Sequence, residues 1–397
     1  MAERVAIIGT GLTECKYRRP DISQTELVSL AVQRALENAQ LTLKDIDAVV
    51  MGNMEYFEGT AFNDMWLVES DGAYMKSGMK LQSGGTTGGT VFAGAFTHVA
   101  SGLFDTVMAV SYEKMDEGSP AAAMRYITQN PFYNVGGGGQ GATNAIAAHA
   151  ADMLARGAVT EDVVAECRVK QAECALRNPY AHLRKEITVE DVNNSRLLTW
   201  PVRMLHMCPT SVGACAVILA SESKTKKISN NPAWVADCFS FRGGMSPEFG
   251  EFNISYGVGP LGPMWMWGVE QSCNKLYKRN GITNPRKELD VIEVYDPSTW
   301  SELGFYERMH ICEEGKPWKL VEDKSTTIEG DIPVNPSGGV TSTNAIGASA
   351  LLRMAEAGIQ IRGEGGERQV ADVNTAMAIG QGGDHYCIIS LMKKTLV

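Results

Sequence analysis

Two helices rich in small residues, each opened by a glycine-rich turn, occupy matching places in the two halves of this chain. The first turn, residues 81–90, opens a helix predicted over 88–101. The second turn, residues 335–340, opens a helix predicted over 344–357. A helix N-terminus offers unbonded backbone N–H groups and the positive end of the helix dipole. Two such ends facing one pocket would suit an anion or an oxyanion.

Strands and helices alternate on both sides of these turns. Apolar runs bounded by glycine or polar residues predict strands, and apolar residues at helical spacing predict helices. In the first half the strands are predicted over 5–8, 46–51, 106–112 and 214–221, with a helix over 24–38. In the second half the strands are predicted over 234–239, 291–295, 375–379 and 386–392, with a helix over 269–280. The sequence therefore predicts an α/β protein built from two β-α-β-α-β units.

The length of 397 residues is too great for one small core, so two domains are expected. We predict an N-terminal half over 1–222 and a C-terminal half over 223–397. Residues 113–200 interrupt the first half with predicted helices over 142–156 and 162–177. An excursion of this length within a domain is often functional.

Composition excludes several classes of protein. A net charge of −10 without a concentrated basic run makes nucleic acid a poor partner. No run of 18 apolar residues suggests a membrane span, and the N-terminus has no long apolar signal region. Nine cysteines without CxxC spacing indicate neither a disulfide framework nor a metal site within the chain. A reducing cytoplasm is the expected location.

Local segments resemble the thiolase superfamily over essentially the whole chain. The similarity is greatest to the sterol-carrier-type thiolases and their lipid-transfer-like relatives. The segments that carry this resemblance are residues 178–181, 194–196, 208–214, 293–296, 303–305 and 335–339. The resemblance implies a duplicated thiolase fold with α-β-α-β-α layers. It also implies a coenzyme A thioester as substrate, whose Cα–Cβ bond is formed or cleaved.

The principal catalytic groups of the family are replaced in this chain. Laid on the family pattern, Gly85 falls where the cysteine nucleophile stands, and Asn344 falls on the histidine of a Gly-His-Pro turn. Ala378 falls on the second cysteine, and Tyr295 falls on a further family histidine. Thiolysis splits the reaction through a covalent acyl enzyme. Without these groups the chain is expected to use another chemistry.

A branch of the superfamily that also lacks the cysteine consists of retro-aldolases acting on steroid side-chain CoA thioesters. One of their tyrosines lies in the same Val-Tyr-Asp setting as Tyr295. The resemblance thus implies Tyr295 as the acid–base group and Asn344 as a hydrogen-bond donor to the thioester carbonyl. Backbone N–H groups near Gly85 would hold an oxyanion. The second tyrosine of those aldolases is replaced here by Thr343 and Asn344.

Further residues complete the predicted site. His385 is a candidate for acid–base work because it closely follows the Gly-rich turn at residues 380–383, a candidate oxyanion site. The candidates for contacts with coenzyme A are Gly339, Gly382, Gly383, Arg184 and Lys185. The candidates for an apolar acyl pocket are Trp265, Met266 and Trp267. No metal is expected in the chain.

Structural interpretations of the same residues stay open at this point. On these interpretations the glycines only permit close packing, Tyr295 is a core tyrosine, and Asn344 is only a helix cap. Ser83 could replace the nucleophile if the alignment slips by two residues. Four further cysteines read as buried and inert thiols; they are Cys208, Cys215, Cys312 and Cys387.

Three functions compete. The first is Cys-independent cleavage or formation of the Cα–Cβ bond of an acyl-CoA by retro-aldol chemistry. The second is CoA-dependent thiolysis of a bulky or aryl β-oxoacyl-CoA, as in benzoylsuccinyl-CoA thiolase. The third is a silent acyl-CoA-binding subunit. The resemblance further implies a homodimer formed partly through the strand at 106–112 and a separate zinc-ribbon/OB-fold partner.

Overall fold

The computed structural model describes residues 3–127, 142–229, 231–242, 264–382 and 386–396. The strands are β1 (Val5–Leu12), β2 (Ala48–Gly52), β3 (Ser77–Lys80), β4 (Thr106–Lys114), β5 (Leu197–Thr199), β6 (Val202–Arg203), β7 (Val212–Ser221), β8 (Ala233–Arg242), β9 (Val291–Val294), β10 (Thr375–Gly382) and β11 (Tyr386–Lys393). The helices are α1 (Gln24–Ala39), α2 (Asn63–Trp66), α3 (Thr87–Ala100), α4 (Pro120–Ile127), α5 (Ala142–Ala155), α6 (Glu161–Leu176), α7 (Val189–Asn194), α8 (Glu222–Ile228), α9 (Met264–Asn280), α10 (Pro285–Glu288), α11 (Thr299–Arg308), α12 (Pro317–Glu322), α13 (Gly339–Ser342) and α14 (Ile346–Arg362). The predicted strands and helices of both halves are present, with ends shifted by a few residues.

One nine-stranded sheet runs through both halves in the order β3-β2-β4-β7-β1-β8-β11-β10-β9. Within it, β2 pairs in parallel with β4, and β9 pairs in parallel with β10. From each of these pairs, the next two pairings toward the middle of the sheet are antiparallel. The strands β1 and β8 pair antiparallel over three residues and join the two halves. The duplication predicted from sequence is thus confirmed as two matching sets of four strands.

The edge of the first half is β3, not β4. We predicted a subunit contact through the strand at 106–112, but β4 pairs with β2 on one side and β7 on the other. Both of its edges are therefore occupied within one chain. The four-residue β3 was missed in the sequence because three of its residues are exposed and it has no apolar alternation.

The helices α3 and α14 pack against each other between strands of both halves. A Cβ added at Gly88 would lie 2.5 Å from the Leu351 backbone nitrogen, and one at Gly89 would lie 3.0 Å from Ile388 Cβ. Glycine is required where the helices approach this closely. The helix α1 covers β1 and β7, and α9 covers β8 and β11. Both helices lie on the face of their strands that is turned away from α3 and α14, which gives the layered arrangement of helices and strands.

The helical excursion docks onto the second half through buried polar groups. Lys170 of α6 forms an ion pair with Glu302 of α11. The neighbouring Gln171 donates from Nε2 to Asp296 Oδ2 at 3.0 Å and to Glu302 Oε2 at 2.8 Å. Buried polar groups need such partners because they have lost their hydration. The excursion is therefore fixed to the segment that immediately follows Tyr295.

Two absences concern the described residues only. None of their helices is long and apolar enough to cross a membrane. Nor do these residues contain a group of three or more histidine, cysteine, aspartate or glutamate side chains placed to hold a metal ion. The predicted boundary at 222–223 falls at the start of α8, which connects β7 to β8.

Candidate functional site

The turn before α3 is built by hydroxyl groups that bond back to its own carbonyls. Thr86 Oγ1 donates to the Ser83 carbonyl at 2.7 Å, and Thr87 Oγ1 donates to the Gly84 carbonyl at 2.7 Å. Gly84 has a φ of +63°, which favours glycine. The turn thereby presents Gly85 beside the N-terminus of α3, where the helix dipole is positive.

Three of the predicted site residues meet at Gly85. A Cβ added there would lie 3.1 Å from the Tyr295 hydroxyl oxygen and 3.1 Å from the Gln381 carbonyl oxygen. On the other side, a Cβ added at Gly382 would lie 3.0 Å from the Gly85 nitrogen and 2.5 Å from the Thr86 nitrogen. The Tyr295 hydroxyl therefore occupies the space into which a side chain at residue 85 would extend.

Tyr295 follows β9 and is held by its own backbone. Its N–H donates to the Ile379 carbonyl at 3.0 Å, and its side chain is 6 % exposed. Burial raises the pKa of Tyr295 above its usual range, and the nearby Cys208, Asp296 and Glu113 raise this pKa further. With its pKa raised, the side chain is a protonated phenol at neutral pH.

Asn344 approaches this group of residues from the turn before α14. Its Nδ2 donates to Cys208 Sγ at 3.3 Å, and its Oδ1 accepts from Ser349 Oγ at 2.9 Å. Cys208 also packs against the cluster that contains Tyr295. Asn344 is therefore linked through Cys208 to the cluster that contains Tyr295.

Cys208 was treated as inert in the sequence, yet it lies between the two principal site residues. Its side chain is only partly buried. Burial raises the pKa of its thiol to about 12, the Asp296 charge raises it too, and the hydrogen bond from Asn344 acts in the opposite direction. Cys208 is therefore a thiol rather than a thiolate at neutral pH. Its location is revealed only by the hydrogen bond from Asn344, which lies 136 residues further along the chain.

A histidine that the sequence did not single out supports the Asn344 turn. His182 Nδ1 lies 2.9 Å from Ser211 Oγ, which in turn accepts from the Asn344 N–H at 3.1 Å. The backbone N–H of His182 donates to Thr343 Oγ1 at 3.0 Å. Burial lowers the pKa of His182 below its usual value, so the ring is neutral at pH 7. The helical excursion is thus hydrogen-bonded to the turn that carries Asn344.

A buried glutamate of the first half, Glu113, holds the start of α14. Glu113 Oε2 accepts from the Gly347 N–H at 2.9 Å and from the Met54 N–H at 3.1 Å. Burial first, and then the charge of Glu58, raise the pKa of Glu113 well above its usual value. Burial also raises the pKa of Glu58. The pair is therefore harder to ionise than exposed carboxyl groups are.

The remaining predicted residues are spread more widely. Gly339, with a φ of +66°, lies against the buried carboxylate of Asp296. Arg184 is exposed, donates to the Leu176 carbonyl at 3.1 Å and lines a cleft beside Tyr180, and Lys185 is also exposed. Trp265, Met266 and Trp267 lie in the first turn of α9, with their side chains outside what the structure describes. Gly383 and His385 lie outside the described residues.

Similarity to known proteins agrees with this architecture. The family model described as thiolase C-terminal domain-like matches residues 263–389. Sterol carrier protein 2 of Bos taurus is 28% identical over 96% of this chain and 71% of its own length. An acetyl-CoA acetyltransferase of Methanothermobacter thermautotrophicus is 28% identical over 96% of both chains.

Solved structures share the fold. The Ltp2-ChsH2(DUF35) aldolase superposes with a TM-score of 0.78 at 22% identity, covering 100% of this chain and 99% of that one. Human mitochondrial 3-ketoacyl-CoA thiolase superposes with a TM-score of 0.73 at 15% identity, covering 99% of both chains. The protein therefore has the thiolase fold.

Proposed function

We propose that this protein cleaves or forms the Cα–Cβ bond of a CoA thioester by retro-aldol chemistry, without a cysteine nucleophile. Its fold and relatives support an acyl-CoA enzyme of the thiolase superfamily. One observation carries the proposal. The Tyr295 hydroxyl lies 3.1 Å from the position of a Cβ at residue 85, where the family nucleophile would stand. An acid–base group thus takes the place of the thiol.

The proposed reaction needs one proton acceptor and one site for a negative charge. In the cleavage direction, the β-hydroxyl loses its proton and its oxygen forms a carbonyl as the Cα–Cβ bond breaks. The electrons of that bond pass to Cα and the thioester oxygen as an enolate, which is then protonated at Cα. The products are an aldehyde or ketone and a shorter acyl-CoA. No covalent acyl enzyme forms.

Tyr295 is proposed to exchange the proton of the β-hydroxyl. Because its pKa is raised, the phenol is protonated at neutral pH. In the bond-forming direction this form donates directly to the developing alkoxide. Cleavage by the same path runs through the ionised phenol, so its rate is expected to rise with pH.

The enolate oxygen is proposed to bind Asn344 Nδ2. Its present acceptor in the described residues is the Cys208 sulfur, and sulfur is a weak acceptor that a charged oxygen readily replaces. The N-terminal end of α3 beside Gly85 adds a favourable dipole. Donors arranged before the charge develops stabilise the transition state without reorganisation.

The substrate contacts remain proposals. We propose that Arg184 and Lys185 meet the phosphates of coenzyme A, with Gly339, Gly382 and Gly383 near its thioester end. Trp265, Met266 and Trp267 are proposed to line the acyl pocket, with His385 as an auxiliary acid–base group. The expected location is the cytoplasm.

Partners are proposed on two grounds. The aldolase with the same fold is named as a pair that includes a DUF35 component, which fits the expected zinc-ribbon/OB-fold subunit. A homodimer is proposed through β3, the free edge strand of the first half, because β4 has no free edge.

A second candidate is CoA-dependent thiolysis at Cys208. The observation that favours it is the position of this partly exposed thiol against Asn344 and Tyr295. Its raised pKa opposes this role, because the thiolate is the nucleophile. A silent acyl-CoA-binding subunit is the remaining alternative.

Mass spectrometry of products distinguishes the three. The purified chain, with any copurifying subunit, is incubated with β-hydroxyacyl-CoAs and β-oxoacyl-CoAs, with and without free CoA. Retro-aldol cleavage yields one carbonyl compound and one acyl-CoA per β-hydroxy substrate without free CoA. Cleavage of only β-oxo substrates, and only with added CoA, would establish thiolysis, and binding without turnover would leave the silent subunit.

A further inference from the structure

The Asn344 residue is bonded at each of its polar groups. Its backbone N–H donates to Ser211 Oγ at 3.1 Å, and its carbonyl accepts from the Ser211 N–H at 2.9 Å. Its side-chain Oδ1 accepts from Ser349 Oγ at 2.9 Å, while Nδ2 donates to Cys208 Sγ at 3.3 Å. The backbone position and the direction of the amide are thus fixed by different neighbours.

The two ends of the amide have unequal partners. The Ser349 hydroxyl lies in the first turn of α14 and is fully buried at 0 % exposure. A hydroxyl makes a strong hydrogen bond to an amide oxygen, whereas a thiol sulfur accepts weakly. The carbonyl end is therefore anchored inside the protein, and the donor end faces a partner that a ligand can replace.

We propose that Ser349 is a positioning residue, which anchors Oδ1 of Asn344 so that the Nδ2 donor points toward Cys208, which packs against the Tyr295 cluster. This inference rests on the proposed function, in which that donor binds the enolate oxygen. Ser349 does not itself touch the reacting atoms. It acts only through the direction of the Asn344 amide.

The position of Ser349 explains how the direction persists during a reaction. The start of α14 is fixed from the first half, because Glu113 accepts the Gly347 N–H at 2.9 Å. Ser349 follows two residues later on the same helix. A donor supported by a rigid, buried helix keeps its geometry while charge develops on the substrate.

Kinetics supply the first test, since the donor bond strengthens as charge forms in the transition state. Asn344→Ala is expected to lower kcat by about 100-fold. Ser349→Ala is expected to lower kcat by about tenfold, with KM nearly unchanged. Ser349→Thr, which keeps the hydroxyl, is expected to retain most of the activity. Ser272→Ala is the matched control, since that buried hydroxyl bonds the Gly268 carbonyl within α9, outside the site.

A double-mutant cycle separates positioning from general packing. If Ser349 acts through Asn344, then Ser349→Ala causes no further loss of kcat in the Asn344→Ala background. Losses that multiply in the double variant would overturn the inference. So would a Ser349→Ala enzyme with wild-type kcat.

Labelling of Cys208 tests the same geometry without turnover. The Nδ2 bond lowers the pKa of the Cys208 thiol, so losing that bond raises it. The rate of alkylation by iodoacetamide is followed against pH for the Cys208 peptide by mass spectrometry. The midpoint pH is expected to rise in both Asn344→Ala and Ser349→Ala, and not in Ser272→Ala.

The two failures are distinguishable. If no acyl-CoA is turned over but Ser349→Ala shifts the Cys208 midpoint as Asn344→Ala does, then the proposed function fails and the positioning role stands. If Asn344→Ala shifts the midpoint and Ser349→Ala leaves it unchanged, then the positioning role is overturned.

Discussion

At Gly85 a single added carbon would contact the hydroxyl that we assign to catalysis. Because the Tyr295 oxygen and the Gln381 carbonyl oxygen both lie 3.1 Å from that position, Gly85→Ala is expected to displace Tyr295. A shift of an ångström or less in a catalytic group lowers rates strongly, so we expect kcat to fall about 10- to 100-fold. Steady-state kinetics check this, with the thermal midpoint as a control for folding. A Gly85→Ala enzyme with wild-type kcat would contradict our interpretation of this position.

The raised pKa of Tyr295 predicts a pH dependence. Cleavage needs the ionised phenol, whose fraction grows tenfold per pH unit below its pKa. The rate of cleavage is therefore expected to rise steadily from pH 7 to pH 9, without a plateau near neutrality. A pH–rate profile measured on a β-hydroxyacyl-CoA checks this. A bell-shaped profile centred near pH 7 would assign the proton transfer to another group, since a tyrosine with a raised pKa cannot produce it.

Sequence reasoning located some residues of the site and missed others. Residues 85, 295 and 382 were expected near one another because the resemblance to the thiolase superfamily assigns them to one site, and the fold brings them together. Cys208, Ser211 and Ser349 were missed as partners of Asn344 because their contacts depend on how separate segments pack. No local pattern encodes such contacts.

At the scale of elements, the central helix pair depends on glycine. A Cβ at Gly88 would lie 2.5 Å from the Leu351 nitrogen of α14, which cannot move without shifting the helix. We expect Gly88→Ala to lower the free energy of unfolding by about 1–3 kcal/mol. Gly78→Ala in β3 is the matched control, since its Cβ meets only Ala73 Cβ at 3.6 Å. Denaturant unfolding of both variants provides the measurement, and equal stabilities would contradict close packing here.

The order of elements was predictable because strands and helices of this type carry strong periodic patterns. Buried strands such as β4 and β7 are continuous apolar runs, and α1 has the spacing of a half-buried helix. The pairing of the strands was not predictable from these patterns. Which strand forms an edge depends on crossovers, and this is why β4 was expected at a subunit contact that β3 is free to make.

At the scale of the whole molecule, one face near β3 is unusually apolar. Large side chains from the loop and short helix before this strand are exposed, among them Phe62 at 66 %, Trp66 at 71 % and Met75 at 86 %. Exposed apolar clusters of this kind mark interaction surfaces, and an unpaired edge strand can add a strand from a partner. Both features support the homodimer that we propose through β3.

Charge placed on this face should weaken the dimer. Trp66→Glu and Met75→Glu are each expected to shift the protein from dimer to monomer, because a buried unpaired carboxylate is costly at an interface. Leu103→Glu is the matched control, since Leu103 is 70 % exposed in the loop between α3 and β4. Analytical ultracentrifugation gives the mass. A wild-type monomer at all concentrations would exclude the homodimer.

The central claim is that the Tyr295 hydroxyl, rather than a thiol, carries the chemistry. The most direct test compares Tyr295→Phe with Cys208→Ala in a cleavage assay on a β-hydroxyacyl-CoA without free CoA. We expect Tyr295→Phe to lose about 100-fold or more in kcat and Cys208→Ala to stay within a few-fold of wild type. The reverse result, activity lost with the thiol and kept without the hydroxyl, would contradict the proposed mechanism and establish Cys208 as the nucleophile.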